Sequence, residues 1–164
     1  MSQTTLRRIR AGSGVPLRQA AQRLGLNQAK LSNYETGKQR SPVNLFDRLV
    51  AAVAIGVPRP GDLPRFMVGY DVIGRRWLTD DQYRVVTFKS ADAATAAAAL
   101  LERDLFPAVR IVAAWPSGVE LIVPDWRRRV EFDGSDADGE AIAQACSDRW
   151  LRIFHEAEAE MGRT

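Results

Sequence analysis

The sequence predicts a small all-α domain followed by a larger α+β domain, on three observations. Leu17, Ala20, Ala21 and Leu24 fall at i, i+3, i+4 and i+7, one face of a helix, and Gly25 follows at once as a residue able to turn the chain. The stretch GVPRPGDLP, residues 56–64, holds three prolines and two glycines, a connector rather than core. Beyond it, β-branched and aromatic runs replace the helical spacing. The expected organisation is residues 1–57, a linker at 58–64, and residues 65–164.

In the first part, residues 4–11 read as a helix with Leu6 and Ile9 inward and Arg7, Arg8 and Arg10 outward. After Gly25, Asn27 suits the N-cap of a second short helix from Gln28 to Glu35, whose Leu31 and Tyr34 point back at the helix before it. Its outward residues, Gln28, Ala29, Lys30, Ser32 and Asn33, are small or hydrogen-bonding and include no acid, and Gly37 ends it. Such a face suits the DNA major groove: amides pair with adenine edges, lysine with guanine or phosphate, and alanine leaves room for a thymine methyl. Ser41 and Pro42 are expected to open one more helix, with Leu45, Phe46, Leu49, Ala52 and Val53 as its apolar face.

The run LxxAAxxLGLxxxxLSxYExG resembles the lambda-repressor-like (Cro-like, XRE-family) helix-turn-helix of bacterial and phage regulators, over about residues 4–57. Ala21, Gly25, Leu31 and Ser32 to Gly37 are its most specific parts. The resemblance implies that the second helix reads double-stranded DNA and that Arg10 pairs with Glu35. From the outward phase of that helix, Gln28, Ala29, Lys30 and Asn33 are the expected base contacts. Arg18, Ser32, Lys38 and Arg40 bracket it as expected phosphate contacts. The chain departs from the family at Pro16, where a Ser or Thr cap is usual. It departs also at Leu17, where many members carry a bracing Gln, and at Ala20, where Leu is commoner.

The second part reads as strands over 65–73 and 83–88, with Thr79 to Gln82 in capping-box form between them. Ser90 is expected to cap an alanine-rich helix reaching Arg103. Arg110–Ala114 and Val119–Val123 read as a hairpin around Trp115–Gly118, and residues 126–132 as a further strand. Asp138 is expected to cap a last helix of about 23 residues. The expected order is β-α-β-β-(β)-α.

Charge divides the chain. Residues 1–60 hold ten Arg or Lys against two acids, a surplus of eight positive charges; residues 61–164 hold thirteen against eighteen, a deficit of five. Only the front is therefore suited to approach a polyanion. Chemistry is sparse. His155 is the one histidine and Cys146 the one cysteine, which leaves no metal site, no Ser/His/Asp constellation and no intrachain disulfide to expect. In DGSDADGE, residues 133–140, a calcium loop fails at Gly134 and Ala145, where carboxylates are needed. Arg127 to Arg129 reads as the solvated, edge-protecting side of a strand rather than a second phosphate contact. No cofactor is expected, and neither a membrane span nor a secretory signal is visible.

The expectation is thus a cytoplasmic, non-enzymatic transcription regulator, a repressor occupying a palindromic operator as a homodimer. One recognition helix reads too few base pairs alone. Trp150, Leu151, Ile153 and Phe154, almost in succession on the last helix, are the expected dimer interface. An antitoxin that holds a toxin through residues 65–164 and represses its own operon is the alternative protein-partner reading. A DNA-targeted enzyme is the third, disfavoured by the lack of clustered acids and histidines.

Overall fold

A computed structural model describes residues 3–119, 123 and 126–163. Four helices come first: α1 (Gln3–Gly12), α2 (Leu17–Leu24), α3 (Gln28–Thr36) and α4 (Leu45–Val53). Then follow β1 (Arg65–Asp71), β2 (Arg75–Trp77), β3 (Val86–Phe88), α5 (Ala91–Arg103), β4 (Arg110–Ala114), β5 (Val130–Phe132) and α6 (Asp136–Met161). The helical region is thus followed by a mixed sheet with two helices.

β1 is the hub of the sheet. β4 runs antiparallel along one edge, from Arg65 opposite Ala114 to Gly69 opposite Arg110. β2 and β3 share the other edge, β2 facing Gly69–Asp71 and β3 meeting Phe66. β5 joins β3 in parallel. The period of two sends alternate residues to two apolar layers: Phe66, Val68, Ile111 and Ala113 to one, Met67, Val112 and Ala114 to the other. Arg65 is buried and locks three strands, donating to the Thr87 carbonyl at 2.9 Å, the Phe132 carbonyl at 3.3 Å and Asp133 Oδ1 at 2.9 Å.

The helical front is joined to this sheet rather than hung from it. α1 lies on β4, with Gly12 so close that a Cβ there would run into the Ile111 carbonyl. Ser13 Oγ accepts the Ala113 N–H at 3.2 Å. Ile55, just past α4, extends the β4 edge: its N–H donates to the Ala113 carbonyl at 2.8 Å, and its carbonyl accepts the Trp115 N–H at 2.9 Å. Phe46 of α4 stacks on Phe66 of β1, centroids 6.4 Å apart, so one apolar layer runs from Leu6 and Leu31 through to Phe88. Arg8 of α1 pairs with Glu102 of α5. The connector is tied down at Asp62, which accepts from the Arg59 N–H at 3.1 Å and the Ser117 hydroxyl at 2.7 Å.

Several local expectations are corrected. α4 starts at Leu45, because residues 42–45 first close a separate turn, Leu45 N–H to the Pro42 carbonyl at 3.1 Å, which displaces Ser41 and Pro42 from the helix. α6 is capped by Ser135, not Asp138. The Ser135 hydroxyl accepts the Asp138 N–H and the Asp138 carboxylate accepts the Ser135 N–H, both at 3.3 Å, a reciprocal box that starts the helix three residues earlier. The single turn expected at residues 79–82 forms one residue later and without the expected box: the Tyr83 N–H closes on the Asp80 carbonyl at 3.0 Å, and Asp80 Oδ1, rather than Thr79, accepts the amides of Gln82 at 3.0 Å and Arg84 at 2.9 Å. Tyr83 adopts φ +61°, so the strand after it is cut to Val86–Phe88. Residues 126–128 form a 3₁₀ turn, fixed by the buried Trp126, whose Nε1–H donates to the Pro116 carbonyl at 2.6 Å. β2 adds a strand to the expected order. The expected second hairpin strand, 119–123, lies largely outside the described residues.

α5 and α6 cross closely because α5 shows α6 an alanine face. A Cβ on Gly139 would stand 3.0 Å from the Ala93 carbonyl, so a larger residue there would have to push that backbone away by a few tenths of an ångström.

Candidate nucleic-acid interface

The α2–α3 corner is built from its turn. Gly25 takes φ +69°, a left-handed conformation that only glycine reaches freely, and the Leu26 N–H closes on the Ala21 carbonyl at 2.9 Å. Asn27 then caps α3, its side chain accepting the Lys30 N–H at 2.7 Å. Gly37 at φ +81° ends α3. Ala20, Ala21 and Leu24 of α2 are buried together with Leu31 and Tyr34 of α3, so the apolar stripes set the phase of both helices. Pro16 occupies the cap position of α2, where it offers no side-chain bond but has the extended backbone a cap needs.

That phase leaves Gln28, Ala29 and Lys30 exposed to solvent over the first turn of α3, with Ser32 and Asn33 half-buried beyond them. Ser32 uses its carbonyl to accept the Thr36 hydroxyl at 2.9 Å. Arg18, Lys38 and Arg40 are exposed around the corner, with no side-chain partner among the described residues. Behind α3, Arg10 Nε meets both carboxylate oxygens of Glu35, at 2.8 and 2.9 Å, while its Nη1 donates to the Val15 carbonyl at 3.0 Å. The Glu35 side chain is only 3% exposed, so this pair fixes the C-terminal turn of α3 against α1. The result is a rigid, positively charged corner with a polar, acid-free helix face: donors and acceptors for base edges, flanked by cations for phosphates.

Two cations that the sequence did not single out hold the corner from behind. Arg48 of α4 donates to the Leu24 carbonyl at 2.9 Å, satisfying the C-terminal end of α2, and Arg23 donates to the Ala52 carbonyl at 2.7 Å. An arginine spaced one helix away from a glycine-terminated helix is the only sequence signal for such a role.

The residues expected at a dimer interface are divided by the structure. Trp150 is half-buried against its own sheet, its Nε1–H donating to the Tyr70 hydroxyl at 2.8 Å, and Phe154 leans on its ring, centroids 5.9 Å apart. Leu151 and Ile153 are each 43% exposed. His155 is exposed. Of the acidic segment, Asp133 is taken by Arg65 and Asp138 by the α6 cap. Among the described residues, no helix is long and apolar enough to cross a membrane.

No curated protein and no solved structure matches the chain. Residues 4–77 do match a family described as a helix-turn-helix domain, a match that runs past α4 and the connector into β1 and β2. Together with the α2–Gly25–α3 geometry, that match supports a helix-turn-helix DNA-binding domain within residues 4–77, as found in DNA-binding regulators in general.

Proposed function

We propose that this protein is a sequence-specific repressor that occupies a palindromic operator as a homodimer. The observation that carries the reading is the exposed, acid-free run Gln28–Ala29–Lys30 on a helix fixed by Arg10 and Glu35. In this reading Gln28 and Ala29 lie nearest the bases, with Lys30 and Asn33 beside them. Arg18, Ser32, Lys38 and Arg40 touch phosphates. The exposed Leu151 and Ile153 on α6 support a twofold contact between copies, which would place two recognition helices on half-sites about 34 Å apart.

Selection of duplexes from a random pool supplies the site. On that site Gln28→Ala is expected to cost ~1–3 kcal/mol, and much less on unrelated DNA. An equal loss on both would reassign Gln28 to phosphate. Sedimentation of the full chain at micromolar concentration tests the assembly: a dimer is expected, and a monomer both free and on DNA overturns it.

A further inference from the structure

A cleft of about 790 Å³ opens between the α1–α2 turn, β2, the loop before β3 and α6, and reaches both layers of the sheet, Val112 and Trp77 belonging to one and Tyr70 and Trp150 to the other. Its size suits a small organic ligand. Arg75, Arg76, Arg84, Arg110, Arg128 and Arg149 line it, and among the described residues no carboxylate does. Asp80, Asp71 and Asp81 stand just outside and pair with Arg84, Arg110 and Arg149. Arg76 gives its N–H groups to the carbonyls of Val72 and Ile73, both at 3.1 Å, and keeps its charge. Arg75 and Arg128 are exposed and have no side-chain partner among the described residues. Among the described residues, three positive charges are therefore left without a carboxylate along this cleft, in the acidic half of the chain.

Flat rings alternate with these cations. Trp150, Trp77 and Tyr83 line the same cleft, and each carries a guanidinium on one face, Arg76 at 5.5 Å, Arg110 at 5.8 Å and Arg149 at 5.7 Å. At the back, the Tyr70 hydroxyl is hydrogen-bonded to Trp150 and to Cys146, and burial holds it protonated. Unpaired guanidinium groups next to oriented rings provide for two chemistries at once, phosphate and a stacked heteroaromatic ring. A DNA duplex presents phosphates on a convex rim and no free ring, so it cannot use the recessed aromatic walls.

We propose that this cleft binds a nucleotide, a flat heteroaromatic ring bearing phosphate, with Arg75 and Arg128 on the phosphate and the Trp77 wall on the ring. Gly12, Ser13 and Gly14 form one rim of the cleft and also join α1 to α2. A bound nucleotide thus touches the turn that leads from α1 into α2, the first helix of the DNA-reading corner, and regulates it. This regulatory half rests on the repressor reading; the binding itself does not.

The test is a magnesium-free titration of the full chain, without DNA, followed by tryptophan fluorescence. The probes are ATP, ADP, a cyclic dinucleotide, inorganic pyrophosphate and adenosine. Saturable quenching by a phosphorylated nucleotide is expected, stronger than by pyrophosphate or adenosine, and the mononucleotide and dinucleotide arms identify which kind fits. Arg75→Ala and Arg128→Ala, both at exposed positions, should each weaken it roughly tenfold with circular dichroism unchanged. No saturation by any probe, or affinities untouched by both substitutions, overturns the site. Displacement of the nucleotide by random duplex, with both variants losing DNA affinity in parallel, overturns it in favour of a DNA-backbone groove. DNA affinity that does not change at saturating nucleotide removes the regulatory half alone.

Discussion

In the helical front, Arg18, Lys30, Lys38 and Arg40 stand exposed with no carboxylate on them; in the sheet-bearing back, Arg65, Arg84, Arg110 and Arg149 each hold one. The side chains are nearly the same and their uses are opposite. An exposed cation without an acid keeps small counterions, which a polyanion can release and so gain affinity. A cation already paired has that interaction satisfied and instead holds a loop or a strand edge. Arginine content alone therefore says little about nucleic-acid binding. The placement of Asp and Glu decides which surface is free to do it. Each half also holds exceptions, the Arg8–Glu102 and buried Arg10–Glu35 pairs in front and the unpaired Arg75 and Arg128 behind.

The comparison breaks most severely at the seam between the halves. Gly12→Ala forces a Cβ against the Ile111 backbone, and overpacking of that kind is expected to cost about 3 kcal/mol or more. Urea unfolding checks it; a variant within error of the parent would mean that α1 does not rest on β4. The buried front pair comes next. Glu35→Ala leaves the Arg10 guanidinium, 11% exposed, without its anion, an expected loss of about 3 kcal/mol. Arg10→Met combined with Glu35→Leu should recover most of it, since removing both charges leaves neither stranded.

The free cations of the front form the third test. Arg18→Ala, Lys38→Ala and Arg40→Ala should each weaken binding to every duplex and reduce the salt slope by roughly one unit, with little effect on stability. A slope unchanged in all three removes them from the interface. The smallest effect is in the back. Burial acts to raise the Asp80 carboxyl, but the Arg84 amide and guanidinium and the Gln82 amide outweigh it and hold the group below the usual carboxylate range. Its contribution is complete above the unfolded value, about 4, and is lost as pH falls through the lowered folded value. Asp80→Asn should therefore flatten the acid limb of a stability–pH curve while neutral-pH stability falls slightly.

The front was readable because its signals are local. Gly25, Asn27 and Gly37 act on neighbours within four residues, and the stripe from Leu17 to Tyr34 sets its own phase. The back depends on distant partners, and there the reading faltered. β2 is Arg-Arg-Trp, without apolar alternation, and is a strand only because β1 offers it an edge. Asp138 looked like a cap, and only the reciprocal bond from Ser135 shows which of the two begins α6. The arginine cleft draws from seven separate stretches, residues 12–14, 55, 70, 75–85, 110–112, 128 and 149–153, so no window of the sequence contains it. The connector at 58–64 was visible in its prolines, but not that Ile55 before it and Asp62 within it are fastened to residues 113–117.

The Ile55–Ala114 bridge has a consequence for the protein while it is being made. Translation delivers residue 55 well before residue 114, and at about 5–20 residues per second the gap lasts several seconds. Throughout that interval α1 and the end of α4 lack the strand they rest on, and their apolar faces meet the aqueous surroundings of the ribosome. The helix-turn-helix corner thus leaves the ribosome before the strand that braces α1 and α4, and a nascent chain that ends short of residue 114 lacks that brace.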